Sequence, residues 1–235
     1  MAGNNGPKIV TNGLILALDA ADRKSYAGSG TAWNDLSGNN NNGTLTNGPT
    51  FSSANGGSIV FDGTNDYINC GTSSTLQPSS ITFSIWVTRT STWGGGSCLF
   101  WAKPNGDYTG NGFYIEPVAP SISNSTLVVF NGFPNYIQLQ TDGNITFPLN
   151  TPINFCFTLT GSIGAMYING ISKTISTTGT PAITSTSDIK YIMSNSTSYG
   201  NYTPGQVSKI LLYNRALSAS EILQNFNANR GRFGI

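Results

Sequence analysis

Apolar and polar residues alternate along short segments of the chain, and this alternation constrains the fold more than any other feature. Between Ile81 and Val87 the apolar side chains fall at every second position, and the segment from Ile153 to Thr160 repeats the pattern. Successive side chains of a β-strand point to opposite faces, so a period of two predicts strands that bury one face. Trp86 lies on the opposite face of the segment from Ile81 to Val87, and we expect its side chain to be packed rather than exposed.

Segments of similar character follow one another at short intervals along the chain. They are Leu14–Asp19, Ser58–Asp62, Cys98–Trp101, Gly112–Glu116, Thr126–Phe130, Tyr136–Thr141, Ala165–Ile168, Ile189–Met193 and Val207–Tyr213. Clusters of Gly, Pro, Asn and Ser lie between them and tolerate turn geometry. Many short strands separated by turns predict an all-β sandwich or barrel. Because no internal repeat or linker interrupts the pattern, we predict one domain over residues 1–235.

Two local motifs add detail to this prediction. Asn169 and Gly170 stand between apolar runs, and this pair suits the type I′ turn of a β-hairpin because both residues adopt positive φ. Ser218 and Glu221 have the spacing of a capping box, in which each side chain bonds to the backbone of the other. We therefore predict a short C-terminal helix over residues 219–227, packed on the sandwich.

The chain carries unusually little charge for a soluble domain. Only 9% of its residues are charged, against about 25% in an average domain, and the net charge is +1. Eleven basic residues scattered singly do not form the basic face that nucleic acid requires. There is no apolar run long enough for a transmembrane helix and residues 1–8 lack the apolar core of a secretory signal. We expect the protein to act where it is made or to leave by lysis of the producing cell.

Cysteine and histidine usage excludes the common zinc sites. The chain has no His and no Cys-x-x-Cys pair, so a zinc site of the usual type is excluded. Its three cysteines, Cys70, Cys98 and Cys156, cannot all pair with one another, and each lies in or at the end of an apolar run. We predict buried free thiols that act as small apolar side chains.

Several segments of the sequence resemble those of a known family. These segments are Leu18–Tyr26 (LDAADRKSY), Trp33–Phe51 (WNDLSGNNNNGTLTNGPTF), Ser58–Ile68 (SIVFDGTNDYI), Tyr213–Phe226 (YNRALSASEILQNF) and the MYING hairpin. Together they resemble the LamG-like jelly-roll group of the concanavalin A-like lectin/glucanase superfamily, and they are spread over nearly the whole chain. The resemblance implies an antiparallel two-sheet jelly-roll sandwich. It does not specify a ligand.

The amino-acid sequences of these segments, and of residues 230–235, are similar to those of domains found in structural proteins of tailed phages and marine viruses. That resemblance implies a role on the surface of a virion, as capsid decoration, head fibre or tail adhesin. It is an association, because one fold hosts many functions.

An enzyme of this superfamily would be a glucanase, and the chain lacks the residues for that chemistry. Such enzymes use two carboxylates about 5–5.5 Å apart, and the resemblance places them on a Glu-x-Asp-x-x-Glu strand that this chain does not contain. Its two glutamates are Glu116, followed directly by a proline, and Glu221, which the capping box uses. Without His, and without a Ser or Cys nucleophile beside a base, other hydrolytic mechanisms fail too. We predict a protein that is not an enzyme.

Acidic residues cluster at one turn that is a candidate metal site. The segment from Asp62 to Asp66, with Asn65 between them, offers the oxygen ligands that calcium prefers, and several relatives with the implied fold carry calcium. The alternative is that both carboxylates bond to turn N–H groups and hold the loop. We predict no other cofactor.

Aromatic residues in Gly- and Asn-rich loops are candidates for sugar recognition, which needs flat rings beside amide and hydroxyl groups. They are Trp93, Tyr108, Phe133, Tyr136, Tyr199 and Tyr202. The alternative is that such residues cover the ends of the core or pack against a neighbouring subunit. Trp33 is assigned to packing, and Trp101 is left unassigned.

These observations predict a non-catalytic structural protein at the surface of a virion, assembled in the host cytoplasm. Its expected partners are other virion proteins of the capsid or tail, or further copies of itself, with host surface glycans considered as ligands. Neither nucleic acid nor membrane insertion is expected. The alternative is a free lectin-like carbohydrate-binding module that is not part of a virion.

Overall fold

The computed structural model describes residues 7–93, 96–102, 112–117, 126–130, 137–141, 147–183, 188–195 and 200–235. The described strands are β1 (Leu14–Asp19), β2 (Ala32–Trp33), β3 (Gly43–Thr46), β4 (Thr50–Ser52), β5 (Ser58–Phe61), β6 (Tyr67–Asn69), β7 (Ile81–Thr88), β8 (Phe100–Ala102), β9 (Phe113–Pro117), β10 (Thr126–Phe130), β11 (Ile137–Thr141), β12 (Pro152–Thr160), β13 (Ile163–Ile168), β14 (Ile171–Lys173), β15 (Ile175–Thr178), β16 (Tyr191–Ile192) and β17 (Gly205–Tyr213). One α-helix, α1, spans Ala219–Arg230, and short 3₁₀ turns cover Ala54–Gly56, Ser74–Leu76 and Gly231–Phe233.

The strands form two antiparallel sheets. The eight-stranded sheet has the order β14-β13-β12-β7-β17-β5-β4, and β1 lies beside β17 in line with β5. The nine-stranded sheet has the order β15-β11-β10-β9-β8-β16-β6-β3-β2. This arrangement confirms the predicted antiparallel two-sheet sandwich with a short C-terminal helix.

The core lies between the sheets and is rich in aromatic rings. The ring of Phe83 on β7 lies 5.0 Å from that of Phe100 on β8, and the rings of Phe113 on β9 and Phe157 on β12 are 6.4 Å apart. All four side chains are fully buried. Burying one such ring stabilises the fold by about 1.5–3 kcal/mol, so the contacts across the sandwich are the main source of cohesion.

The outer face of the eight-stranded sheet is also covered. Trp86 on β7 stacks on Phe226 of α1 and on Phe233 beyond it, with ring centroids 5.7 and 4.1 Å away. Every residue of β7 is consequently buried, including Thr82 and Ser84 on its more polar face. Trp86 serves packing, as expected, because the C-terminal helix and the residues after it cover this face.

The hairpin and the helix cap are confirmed in detail. Asn169 and Gly170 have φ angles of 51° and 75° in the turn between β13 and β14. The side chain of Ser218 accepts a bond from the backbone N–H of Glu221, whose carboxylate accepts one in return from the backbone N–H of Ser218. Helix α1 extends to Arg230, three residues past its predicted end, where the buried Asn229 accepts a bond from Lys209 of β17 at 2.9 Å.

Both ends of the described chain are fastened to the same layer. The side chain of Gln224 donates to the carbonyl of Lys8 at 2.7 Å, and the backbone N–H of Val10 donates to Asn225 at 2.8 Å. Arg232 forms an ion pair of 2.7 Å with Asp19 at the end of β1. Although burial raises it, the pKa of the Asp19 carboxyl is held below its usual range by the charges of Lys209 and Arg232.

The three cysteines are free and buried, as predicted. Burial raises the pKa of the Cys70 thiol to about 12 and that of Cys156 higher still, so neither forms a reactive thiolate near neutral pH. Within the described ranges, the structure contains no helix long and apolar enough to span a bilayer.

Candidate functional site

Three segments that are far apart in the sequence meet at one rim of the sandwich. They are the turn from β5 to β6, the chain between β7 and β8, and the approach to β17. Together they line a cleft of about 320 Å³, which we call the rim cleft. Its lining residues are Gly63, Thr92, Ser97, Gly200, Asn201, Tyr202 and Pro204. Among the described residues, the lining is polar and contains no charged side chain.

Tyr202 supplies the aromatic ring of the rim cleft. The residue is half-buried, and its ring stacks on Tyr67 with centroids 6.2 Å apart and an interplanar angle of 26°. Tyr67 in turn meets the edge of Tyr191 at 5.4 Å. A bridge between the backbones of Ser194 and Tyr202 fixes the segment that carries the ring. The ring is therefore held in place while part of it still faces solvent.

The walls of the rim cleft are fixed by hydrogen bonds. The hydroxyl of Thr203 accepts from the N–H of Cys98 at 2.7 Å and donates to the Cys98 carbonyl at 3.0 Å. On the opposite wall, a Cβ at Gly63 would lie 2.8 Å from Pro204, and φ there is 78°. Only glycine permits this approach without strain.

Trp93 does not present the exposed ring that we expected. Its side chain is only 3% exposed, and its ring lies 5.0 Å from that of Phe147 in the core. The indole N–H donates to the Pro204 carbonyl at 2.6 Å. The prediction of a sugar-stacking ring on a glycine-rich tip is wrong, because burial of the indole and this bond hold Trp93 over the end of the core. The position of Trp93 agrees with the alternative, in which the ring covers one end of the core.

The turn from Asp62 to Asp66 forms part of the same rim. Asp62 accepts a bond from the N–H of Thr64 at 2.7 Å, and Asp66 accepts from the N–H of Asp62 at 3.1 Å. The carbonyl of Asn65 accepts from the side chain of Asn47 at 2.9 Å. Burial, followed by the neighbouring Asp62, raises the pKa of the Asp66 carboxyl. These bonds agree with the alternative given above, in which both carboxylates bond to N–H groups of the turn and hold the loop.

As a calcium site, this turn is short of ligands. The described residues contain no cluster of three or more His, Cys, Asp or Glu side chains suited to a metal ion. Calcium takes six to eight oxygens, and Asp62 and Asp66 each already use an oxygen within the turn. Binding of calcium by Asp62, Asn65 and Asp66 stays a prediction.

The remaining aromatic candidates lie outside the described residues. They are Tyr108, Phe133, Tyr136 and Tyr199.

Sequence reasoning missed a row of aromatic side chains on the outer face of the nine-stranded sheet. Tyr191, Trp101 and Tyr114 lie directly opposite one another on β16, β8 and β9. They face outward because their neighbours Phe100 and Ile115 are in the core. The rings of Trp101 and Tyr114 are stacked at 5.0 Å. The signal was available, since each of these aromatics occupies a position where alternation predicts a polar residue.

A family profile agrees with this architecture. The laminin G-like profile described as the concanavalin A-like lectin/glucanases superfamily matches residues 62–223, more than half of the chain. The chain belongs to this superfamily. No curated protein sequence matches it significantly.

Solved structures of the superfamily fold are similar over most of the chain. Domain 4 of AbnA, an extracellular arabinanase from Geobacillus stearothermophilus solved with arabinotriose, has a TM-score of 0.70 at 16% identity, covering 91% of this chain and 98% of that domain. Trypanosoma rangeli sialidase has a TM-score of 0.65 at 17% identity, and 94% of this chain spans 33% of the sialidase. The binding domain of Paraclostridial Mosquitocidal Protein 1 has a TM-score of 0.63 at 18% identity, covering 93% of this chain and 52% of that chain. At these identities the likeness shows the fold.

The two glutamates of this lectin/glucanase-type sandwich lie on opposite sides of it. Glu116 is on β9, on the outer face of the nine-stranded sheet, where burial raises the pKa of its carboxyl to about 7. Glu221 is at the start of α1, over the eight-stranded sheet, and makes two bonds to Arg215 at 3.0 and 2.6 Å. Packed sheets are about 10 Å apart, so these two carboxylates cannot form the pair about 5–5.5 Å apart that a retaining glycosidase needs.

Proposed function

We propose that the chain is a non-catalytic carbohydrate-binding module whose ligand occupies the rim cleft. The observation that carries the proposal is the composition of that cleft, where the half-buried Tyr202, its ring stacked on Tyr67, shares the lining with Asn201, Thr92 and Ser97. Sugars present flat C–H faces to aromatic rings and hydroxyls to neutral polar groups. The structure of the AbnA domain with arabinotriose supports a sugar as the ligand class.

Three properties support a binding role without catalysis. The two glutamates are on opposite sides of the sandwich, and Glu221 is committed to Arg215 and the helix cap. The described lining of the rim cleft has no charged residue that would serve as a general acid or base. Its walls are also fixed by bonds such as that from Trp93 to Pro204, which lowers the entropic cost of binding a flexible saccharide.

Binding to a glycan array, followed by titration calorimetry, tests the proposal. We expect Tyr202→Ala to weaken binding about tenfold or more, because the stacked ring is lost. Tyr202→Phe keeps the ring and should retain most of the affinity. The matched control is Thr177→Ala on the exposed edge strand β15, which should leave binding unchanged. Full glycan binding by Tyr202→Ala would place the ligand elsewhere.

We propose that the rim cleft works without a cofactor. Asp62 and Asp66 are engaged in the turn, where each accepts a backbone N–H bond with which a cation would have to compete. Millimolar calcium should therefore leave the melting temperature unchanged relative to EDTA. A rise that Asp62→Asn abolishes would contradict this proposal and assign Asp62, Asn65 and Asp66 as calcium ligands.

We also propose that the module acts at the surface of a virion, docked on a capsid or tail protein, rather than as a free lectin. The sequence resemblance supports this setting, as does an exposed apolar patch where Ile171 is 64% and Leu223 46% exposed. Leu223 lies beside the turn that precedes Ile171, since a Cβ at Gly170 would lie 3.2 Å from the Leu223 side chain. Low charge also suits docking, because few ions must lose their water.

Mass spectrometry of purified particles tests this setting. We expect the chain in stoichiometric amount, and we expect Leu223→Glu to reduce its incorporation while glycan binding in the rim cleft persists. Absence of the chain from washed particles would favour the free lectin.

A further inference from the structure

A second cleft lies between the last turn of α1 and the turn that follows β1. Its volume is about 720 Å³, and we call it the helix cleft. Among the described residues, six of its lining side chains end in planar polar groups, and the others belong to two alanines and a glycine. The six are Asp19, Asp22, Arg23, Asn227, Asn229 and Arg232. The helix cleft thus has the size of a small-molecule site, which is usually about 300–1,000 Å³.

The inner wall of the helix cleft is held by bonds between its own side chains and their neighbours. Asp19 pairs with Lys209 at 3.1 Å and with Arg232 at 2.7 Å, and these three side chains are at most 16% exposed. Lys209 also donates to the side-chain oxygen of the buried Asn229 at 2.9 Å. Because this wall is fixed in the folded protein, a ligand would not have to order it, which lowers the entropic cost of binding.

Three side chains on the outer part of the helix cleft keep hydrogen-bonding groups for a ligand. Asn227 is half-buried, and its side chain makes no bond to another described residue. Asp22 is exposed and uses one carboxylate oxygen for the N–H of Lys24 at 2.8 Å. Arg23 is exposed and donates through one terminal nitrogen to the carbonyl of Ala27. The outer part therefore offers an amide, a carboxylate oxygen and guanidinium N–H groups together.

The charge and polarity of the described lining narrow the class of ligand. Two carboxylates are matched by two guanidinium groups, so the lining has no net charge with which to select an ion. It has no aromatic ring and no aliphatic side chain larger than that of alanine, so it offers little surface to an apolar ligand. A neutral ligand rich in hydroxyl groups suits the lining, because a hydroxyl donates to a carboxylate and accepts from a guanidinium. Bonds of this charge-assisted kind are about twice as strong as neutral ones.

We infer that the helix cleft is a second saccharide site, which binds a neutral sugar through hydrogen bonds without an aromatic ring. The class of ligand rests on the proposed function, whereas the site rests on its own lining. The two clefts share no lining residue. Arg232 of the helix cleft donates to the carbonyl of Gly57, just before β5, and Gly63 of the rim cleft follows β5. Residues 57 to 63 span at most about 20 Å, so one branched or repeating glycan can occupy both sites and gain avidity.

Calorimetric titration with neutral oligosaccharides, selected as binders on a glycan array, tests the inference in a cycle of variants. Tyr202→Ala disables the rim cleft, and the pair Arg23→Ala and Asn227→Ala removes free groups of the helix cleft while its inner wall stays intact. We expect the Tyr202→Ala protein to keep one site for a neutral oligosaccharide. Adding the pair should weaken that remaining binding about tenfold or more, because several hydrogen bonds are lost. Amide resonances of residues 21–23 and 227–231 should shift when the Tyr202→Ala protein is titrated.

Asn12→Ala is the matched control, since Asn12 is an exposed asparagine outside both linings and should leave both sites unchanged. Loss of all glycan binding in Tyr202→Ala would overturn the second site while the proposed function stands. Binding that survives all three substitutions would overturn the helix cleft as its place. Binding that the helix-cleft pair reduces and Tyr202→Ala does not would instead overturn the role of the rim cleft. The melting temperature of each variant verifies that it is folded.

Discussion

At the scale of single residues, Trp93 and Tyr202 show how packing separates two similar aromatic candidates. Both are aromatic residues among glycines and asparagines, and the sequence offers no difference between them. In the structure Trp93 is 3% exposed and bonded to Pro204, whereas Tyr202 is half-buried and lines the rim cleft. What separates them is the packing of distant segments around each ring, which no local pattern encodes.

This difference predicts opposite effects of truncation. Trp93→Ala should lower the free energy of unfolding by about 3–5 kcal/mol, as expected for a large buried side chain. Trp93→Phe keeps most of the volume but leaves the Pro204 carbonyl without its donor, and should cost about 1–3 kcal/mol. Urea denaturation measures both, with Tyr202→Ala as the comparison. A Trp93→Ala protein as stable as wild type would contradict the buried position.

At the scale of elements, helix α1 depends on the ionisation of one cap residue. The side-chain bonds from Arg215, followed by the backbone bond from Ser218, lower the pKa of the Glu221 carboxyl from 4.5 to about 2. A lowered acid pKa stabilises the folded state above the unfolded-state pKa, and this stabilisation is lost as the pH falls towards the folded-state value. The cap is therefore intact at neutral pH and weakens below about pH 4.5.

We accordingly expect Glu221→Gln to destabilise the protein by about 1 kcal/mol at pH 7, in the range of a lost helix cap. The difference from wild type should shrink between pH 4.5 and pH 2, where Glu221 becomes protonated in both states. Urea denaturation at pH 7, 4 and 2 gives the comparison. A difference that stays constant across this range would show that charge at Glu221 contributes nothing.

The elements that were predicted from the sequence are long enough to carry a local pattern, whereas the elements that were missed are short and form through pairing with distant strands. Long strands such as Ile81–Thr88, the Asn169-Gly170 turn and the capped helix all carry local patterns, and all were found. Strands such as Ala32–Trp33 and Gly43–Thr46 were missed, because two to four residues are too few to show a period. They exist through pairing with partners distant in sequence. The rim cleft was unpredictable as a unit for the same reason.

At the scale of the whole molecule, β17 runs from the rim cleft to the place where the N-terminal segment is attached. It begins at Gly205, beside the rim cleft, and ends at Tyr213, whose hydroxyl donates to the carbonyl of Val10 at 2.9 Å. Nine residues of strand span about 30 Å. The rim cleft and the attachment of the N-terminal segment thus lie at opposite ends of the domain.

Tryptophan fluorescence can test whether Phe233, near the C-terminus, covers Trp86 on the outer face of the eight-stranded sheet. Phe233 stacks on Trp86 at 4.1 Å, and all four tryptophans are at most 3% exposed. Phe233→Ala should uncover Trp86, shift the emission to longer wavelength and cost about 3 kcal/mol. Ile235→Ala, which truncates an exposed side chain in the same segment, should do neither. Unchanged emission from Phe233→Ala would show that Phe226 alone covers the indole.

The late position of β17 in the sequence sets when the eight-stranded sheet can be completed. This strand lies between β7 on one side and β1 and β5 on the other, yet it follows every other described strand along the chain. Until Tyr213 has been synthesised, the sheet lacks the strand that joins its halves, and the aromatic side chains of β7 have no complete layer to enter. A chain that stops before β17 should therefore expose apolar surface and be prone to aggregation.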